Sequence, residues 1–283
     1  MTTSGTAPSA DITVPGVTLS REELYVVLRL LKAKDIPGFD TSWARVDARG
    51  EPTPETAAAV RAGMDALVAR GWVQLLPTQT PGAQQRVELP APVVALVGAC
   101  AFSAFTVRFV GIDDGALRVF YFHQFGALGS LHSTPQPDIH LFMPLNGRQG
   151  VLKGIATMVG VGDTPAVGDQ LGIIPLAALR DATRAARNRD GEGVRRALSQ
   201  AATPADATRA QLAQALSSQP VWGELSVGTR DARGDTVERD LFTLAATGVA
   251  FLFAPQPHDP ALLGIYLANA HRIGDWVGAQ LPA

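Results

Sequence analysis

The chain has 283 residues, of which 46% are hydrophobic and 18% charged, a balance that excludes disorder over most of its length. A net charge of −2 gives no prior for nucleic-acid binding, which concentrates Lys and Arg on one surface. The lone cysteine, Cys100, excludes an intrachain disulfide and a cysteine-based zinc cluster; in its Ala/Val-rich run it reads as a buried, inert thiol.

The opening MTTSGTAPSAD has neither a basic nor an apolar signal-peptide region, so it is expected to be a disordered tail on a cytoplasmic protein. Ser20 with Glu23 three residues on forms a capping box, and Leu24, Val27, Leu28 and Leu31 follow at helical spacing. Thr53-Pro54 opens a second helix with Val60, Met64, Leu67 and Val68 on its apolar face, and Gly71 closes it. Trp72–Leu76 reads as a short strand. This helix pair and strand resemble the start of a winged helix, without a basic third helix to read DNA.

Two uncharged stretches, Leu89–Val107 and Leu241–Pro257, are broken by prolines, glycines and hydroxyl residues, and they read as helix-then-strand and strand-turn-strand instead of membrane spans. In the first, Pro92–Ala101 predicts a helix. Phe105, Val107 and Phe109 then alternate with Thr106 and Arg108 as a strand. Asp113-Asp114-Gly115 is a hairpin turn and Leu117–His123 the return strand. The stretch from Gly126 to Asp138 is irregular; Ile139–Leu145 is a third strand, and Val151, Ile155, Met158 and Val159 mark a helix.

Leu176–Asn188 and Gly193–Ala201 are helical. Thr203–Ser217 is a helix, Val221–Arg230 and Glu238–Ala245 form a hairpin, and Val249–Ala254 is a third strand. A last helix is predicted from Pro260, with Asp259 as its N-cap and Leu263, Tyr266, Leu267, Ala270 and Ile273 on one face. Helix, hairpin, third strand, helix thus occurs twice, about 120 residues apart. The fold class expected is α+β, with two related halves, each a helix, antiparallel strands and a helix. The organisation expected is a disordered tail over 1–15, a first half with the N-terminal helices over 16–160, and a second over 161–283 sharing one core.

His123, His132 and His140, with Asp138 beside the last, are the one group that could gather a metal or a general base. Their spacing matches no compact ligand motif, so structural histidines are expected; whether they and Asp138 converge depends on the fold. His258-Asp259 are adjacent and would point apart. Gly129-Ser130-Leu131-His132 resembles a serine nucleophile turn, but its flanking glycine pattern is incomplete for a nucleophile elbow. Gly160-Val161-Gly162-Asp163 and Gly168-Asp169 follow a predicted helix, the wrong place for a dinucleotide loop. Arg180, Arg184, Arg187, Arg189, Arg195 and Arg196 are interleaved with Asp181, Asp190 and Glu192, the pattern of a solvated face that could alternatively meet an acidic partner. No catalytic, cofactor-binding or metal-binding residue is assigned. A protein partner is expected, with no nucleic acid, membrane, metal or cofactor.

Three segments carry a family resemblance: VTLSREELYVVLRLL, the ARGWVQLLP region with the helix and hairpin after it, and TRDARGDTVERDLFTLAATGVAFLFAP with its closing helix. In order of elements the chain resembles the EspG family, cytosolic chaperones of actinobacterial type VII (ESX) secretion. The resemblance implies a quasi-two-fold α/β sandwich and a non-catalytic role, holding an aggregation-prone secreted substrate in soluble form. A second reading is a ligand-binding or transcriptional regulatory protein with a winged-helix-like N-terminal segment.

Overall fold

The computed structural model describes residues 15–76, 86–113, 116–161, 170–202, 206–218, 221–230, 236–246 and 249–280. The chain opens with β1 (Val17–Ser20), α1 (Arg21–Leu30), α2 (Pro54–Ala69), a small hairpin of β2 (Gln74–Leu76) and β3 (Arg86–Glu88), and α3 (Ala91–Ala101). Four long strands follow, β4 (Phe105–Asp113), β5 (Ala116–Phe125), β6 (Leu128–Gln136) and β7 (Ile139–Asn146), then α4 (Gly147–Val159). The grammar then repeats with β8 (Gly172–Pro175), α5 (Leu176–Arg187), α6 (Gly191–Leu198) and α7 (Asp206–Ser217). Strands β9 (Val221–Arg230), β10 (Thr236–Ala246), β11 (Val249–Gln256) and β12 (Asp259–Leu267) and helix α8 (Ala270–Gln280) complete it.

The fold is α+β, built on one ten-stranded antiparallel sheet in the order β1-β7-β6-β5-β4-β9-β10-β11-β12-β8. The two halves meet at β4 and β9, where Val107 lies opposite Val227. Outward from that seam each side runs through its hairpin partner, its third and fourth strands and then the short strand that begins the half. This palindromic order is the quasi-two-fold relation expected from the repeated grammar.

Side-chain alternation along the strands sorts the core into layers. Phe105, Val107, Phe122, Leu225, Val227 and Leu252 point to the face carrying α4 and α8, forming a core common to both halves. On the opposite face, α1–α3 cover Phe142 and the β1 side, while α5–α7 cover Leu244, Phe251, Phe253 and Ile265 at the other end.

Local chemistry accounts for the helix starts. The Ser20 N–H donates to Glu23 Oε2 at 2.7 Å and the Glu23 N–H to Ser20 Oγ at 3.2 Å, satisfying two orphan donors of α1. Pro54 occupies the first turn of α2, and Gly71, at φ +71°, ends it in the left-handed conformation that glycine adopts without penalty.

Three expectations are corrected. Each half has four long strands, not three. The irregular stretch from Gly126 to Asp138 contains strand β6, held between β5 and β7, with Pro135 falling inside a register irregularity between Ser133 and Gln136. The last helix begins at Ala270, not Pro260: residues 259–267 are β12, and Asp259 Oδ1 accepts the Ala261 N–H at 2.9 Å at a strand start. Leu263, Tyr266, Leu267 and Ala270 mimic helical spacing, but the run is a strand apolar on both faces, Leu263 and Ile265 facing one core and Tyr266 the other. Among the described residues no helix is long and apolar enough to cross a membrane.

Candidate functional site

Register places five residues directly opposite one another on successive strands: Phe142 on β7, His132 on β6, Tyr121 on β5, Arg108 on β4 and Ser226 on β9. They form one line across the sheet, on the face opposite α4 and α8. The line starts deep under α1 and α3 and emerges at the central seam.

Its buried end is aromatic. The His132 ring stacks on Phe142 with centroids 4.7 Å apart and on Tyr121 at 5.6 Å. His140 lies 5.3 Å from His132, and His123 lies 6.5 Å away on its other side. The fold therefore brings the three histidines together. Asp138 stays at the rim, in a turn at φ +61°, where its exposed carboxylate pairs with Arg21 at 3.4 Å.

Their hydrogen bonds define what this cluster can do. His132 Nε2 and His140 Nδ1 are 3.0 Å apart, one donating to the other, so the lone pair one of them would offer a metal is already used. His123 Nδ1 meets Thr106 Oγ1 at 3.0 Å. His123 Nε2 and His132 Nδ1 are buried without a well-aligned partner. Burial pushes His123 down to about 3. Burial, reinforced by the neighbouring His123 and His140, pulls His132 well below the usual imidazole range. Burial also lowers His140, against the opposing pull of Asp138. The rings are neutral at physiological pH, and a base so depressed is a weak proton acceptor.

Ser130 is fully buried on β6 and accepts the Cys100 thiol at 3.4 Å, which places it in the core and away from any substrate. Burial pushes Cys100 up to about 12, leaving a thiol that cannot act as a nucleophile near neutrality. Among the described residues, no group of three or more His, Cys, Asp or Glu is placed to hold a metal ion. His258 is exposed in the turn before β12, and Gly160 is the left-handed cap of α4 at φ +77°. Gly162-Asp163 and Gly168-Asp169 lie outside the described residues. The six arginines of α5, α6 and the turn between them are exposed, Arg184 pairs with Asp181 at 3.3 Å, and Asp190 caps α6.

The emergent end of the line lies at β4 and β9, midway along the sheet between Phe142, packed under α1–α3, and Leu244, Phe251 and Phe253, packed under α5–α7. Thr106, Arg108 and Val110 of β4 and Glu224, Ser226 and Gly228 of β9 share this face. Arg108 and Glu224 form an ion pair at 3.7 Å with 39% and 38% of their side chains exposed, and Arg108 Nη2 donates to Ser226 Oγ at 3.2 Å. The sequence carries half of this site: the apolar/polar alternation of Phe105–Val110 marks Thr106 and Arg108 as facing away from the common core. That Glu224 stands beside Arg108 follows only from the pairing of strands more than a hundred residues apart.

No protein-family model matches the chain, and no curated protein matches it in sequence. Among solved structures it is similar to the Mycobacterium tuberculosis type VII secretion system chaperone EspG5, determined in complex with the PE25-PPE41 dimer. The match has a TM-score of 0.55 at 16% identity and covers 95% of this chain and 97% of that one. At that identity the likeness is one of fold, and it spans both halves of the sheet together with their helices.

Proposed function

We propose that this chain is a non-catalytic, chaperone-type protein that holds a protein partner in the cytoplasm in association with type VII secretion. The observation that carries this reading is the nearly end-to-end likeness of fold to a chaperone of that system. The division at about residue 160 belongs to the same reading, with 16–160 and 161–283 as halves sharing one core and not separable domains. The neutral, buried histidines support it too, because the residues best able to do acid-base chemistry are sealed from substrate.

The central strip of β4 and β9 on the face opposite α4 and α8 is the docking surface. Its exposed Arg108–Glu224 ion pair offers one charge of each sign to an incoming chain. A partner held there is withdrawn from aggregation by mass action. The partner class is a secreted heterodimer of the PE–PPE kind.

The test is co-expression with PE–PPE pairs encoded by the same genome, followed by size-exclusion chromatography with light scattering. One pair should co-elute with the chain at fixed stoichiometry. Arg108→Glu, which sets two carboxylates side by side on that strip, should weaken that complex at least about tenfold while leaving the thermal transition in place. A folded chain that stays alone with every such pair overturns the reading.

A further inference from the structure

The segment after α1 crosses the sheet face above the histidines and touches three of its rings. Within residues 33–44, Ile36 and Phe39 are the buried anchors, at 2% and 8% exposure. The Phe39 ring stands edge-on to His140, centroids 5.2 Å apart and planes at 85°. Gly38 sits at φ +82° with its Cα against Tyr121; a Cβ there would come 2.2 Å from Tyr121 Cε2. The Pro37 carbonyl faces His132 closely enough to favour its charged form. The backbone bonds of Ala33, Phe39 and Ala44 run to Leu28, Ile36 and Thr41, so these three tie the segment to itself and to the end of α1, and not to the sheet.

We propose that residues 33–44 are an acid-released strap: protonation of the His132–His140 pair detaches the strap while the ten-stranded sheet stays folded. The neutral pair shares one proton across its 3.0 Å contact. A first added proton goes to an outer ring nitrogen and leaves the shared N–H···N contact intact, but a second leaves two N–H groups facing each other beneath an apolar cover.

The Pro37 carbonyl of the strap itself favours a charged His132 and opposes this; the surrounding side chains add little to it. On the β6–β7 turn, Asp138 favours a charged His140 but is exposed and engaged by Arg21 of α1. Also on α1, Glu23 is committed to Arg70 and to the Ser20 N–H. On α3, Cys100 is a neutral thiol bonded to Ser130. On β5 stand His123, kept neutral by burial, and Tyr121, and on β4 Arg108 lies next in line as a cation. On the strap, Lys34, Asp35 and Asp40 are exposed, and Asp40 is bound up with Ser42 at 2.8 and 2.9 Å. No carboxylate among these groups stands over the pair, so water is the compensation, and lifting two side chains admits it. A segment with two buried anchors and local backbone N–H bonds is the first to open.

Hydrogen exchange of the full chain followed by mass spectrometry at pH 7.0 and 5.5, corrected for intrinsic rates, tests it. Exchange in residues 33–44 should accelerate at least tenfold at pH 5.5, with β4 and β9 protected at both pH values. The double variant His132→Phe, His140→Phe should hold the strap closed at pH 5.5. If that variant does not fold, His140→Phe alone should lower the pH of release, and Ile36→Ala should release the strap already at pH 7.0. Unchanged protection of 33–44, loss of β4 and β9 together with it, or equal release in the histidine variants overturns the proposal.

Discussion

The Arg70 guanidinium grips both carboxylate oxygens of Glu23, Nη1 lying 2.8 Å from Oε1 and 2.7 Å from Oε2. Glu23 has only 4% of its side chain exposed and also accepts the Ser20 N–H. Arg70 Nη2 donates to the Thr18 carbonyl of β1 at 2.8 Å. One side chain at the end of α2 therefore clamps the start of α1 and the edge strand that precedes it.

Arg70→Ala is expected to destabilise the chain by about 1.5–3 kcal/mol, the cost of leaving a buried carboxylate short of a charged donor. Arg70 itself is partly exposed, which keeps the loss at the lower end. Glu23→Gln should cost less, since the amide can still meet the cap. Urea unfolding of the two variants at pH 7.5 ranks them; equal midpoints for wild type and Arg70→Ala would show that the clamp contributes nothing.

Acid should weaken the fold in a defined direction. His123 titrates near 3 in the native chain and near 6.5 once unfolded. Below pH 6.5 the unfolded chain therefore binds more protons than the native one. The stability due to its neutral state is complete above 6.5 and declines as pH falls toward 3. The decline approaches about 1.4 kcal/mol per pH unit for this one group. His123→Gln, which can still meet Thr106, should lower the difference between urea midpoints at pH 8.0 and 5.0. An unchanged difference would remove His123 from the account.

Cys100 is expected to resist alkylation in the native state. Its Sγ is buried and its thiolate suppressed by desolvation, so iodoacetamide at pH 8 should modify it only when the chain unfolds. Intact mass after timed labelling in and out of 6 M guanidinium gives the answer. Rapid native labelling would mean that α3 opens readily from the sheet.

Neither half should fold alone. Residues 16–160 would expose the β4 edge and the α4 side of the common core, which Leu225, Val227, Ile273 and Val277 complete. An unpaired central strand over an open apolar face favours aggregation. Each half expressed by itself should be insoluble or lack cooperative unfolding, and co-expression of both should restore a soluble heterodimer. Two independently folding halves would overturn the shared-core reading.

How much was legible in the sequence differs by element. The capping box at Ser20 and Glu23, the proline start of α2, the hairpins around residues 114 and 233, and the alternation of Phe105, Val107 and Phe109 are local signals, and the elements they announce are present. Strand β6 was not legible, because LGSLHSTPQ is poor in strand-forming residues and contains a proline. It is a strand because β5 and β7 supply its hydrogen bonds, and its Gly129 stands where a Cβ would come 2.9 Å from Leu145 Cβ and Val151 Cγ2. Strand β12 was hidden because apolar residues on both faces erase the two-residue period that distinguishes strand from helix.

By itself the sequence determined which residues turn, which cap and which face of a strand is apolar, since those depend on neighbours within a few positions. Only the tertiary structure decided which strands lie side by side. Alternation assigns a side chain to a face but not to a partner, and lateral register is set by the packing of both faces at once. That register gathered His123, His132 and His140 into one buried cluster under residues 33–44 and set Arg108 beside Glu224 at the central seam. The histidines are therefore core residues and the ion pair is the exposed feature, a division of roles that the spacing of these residues along the chain does not contain.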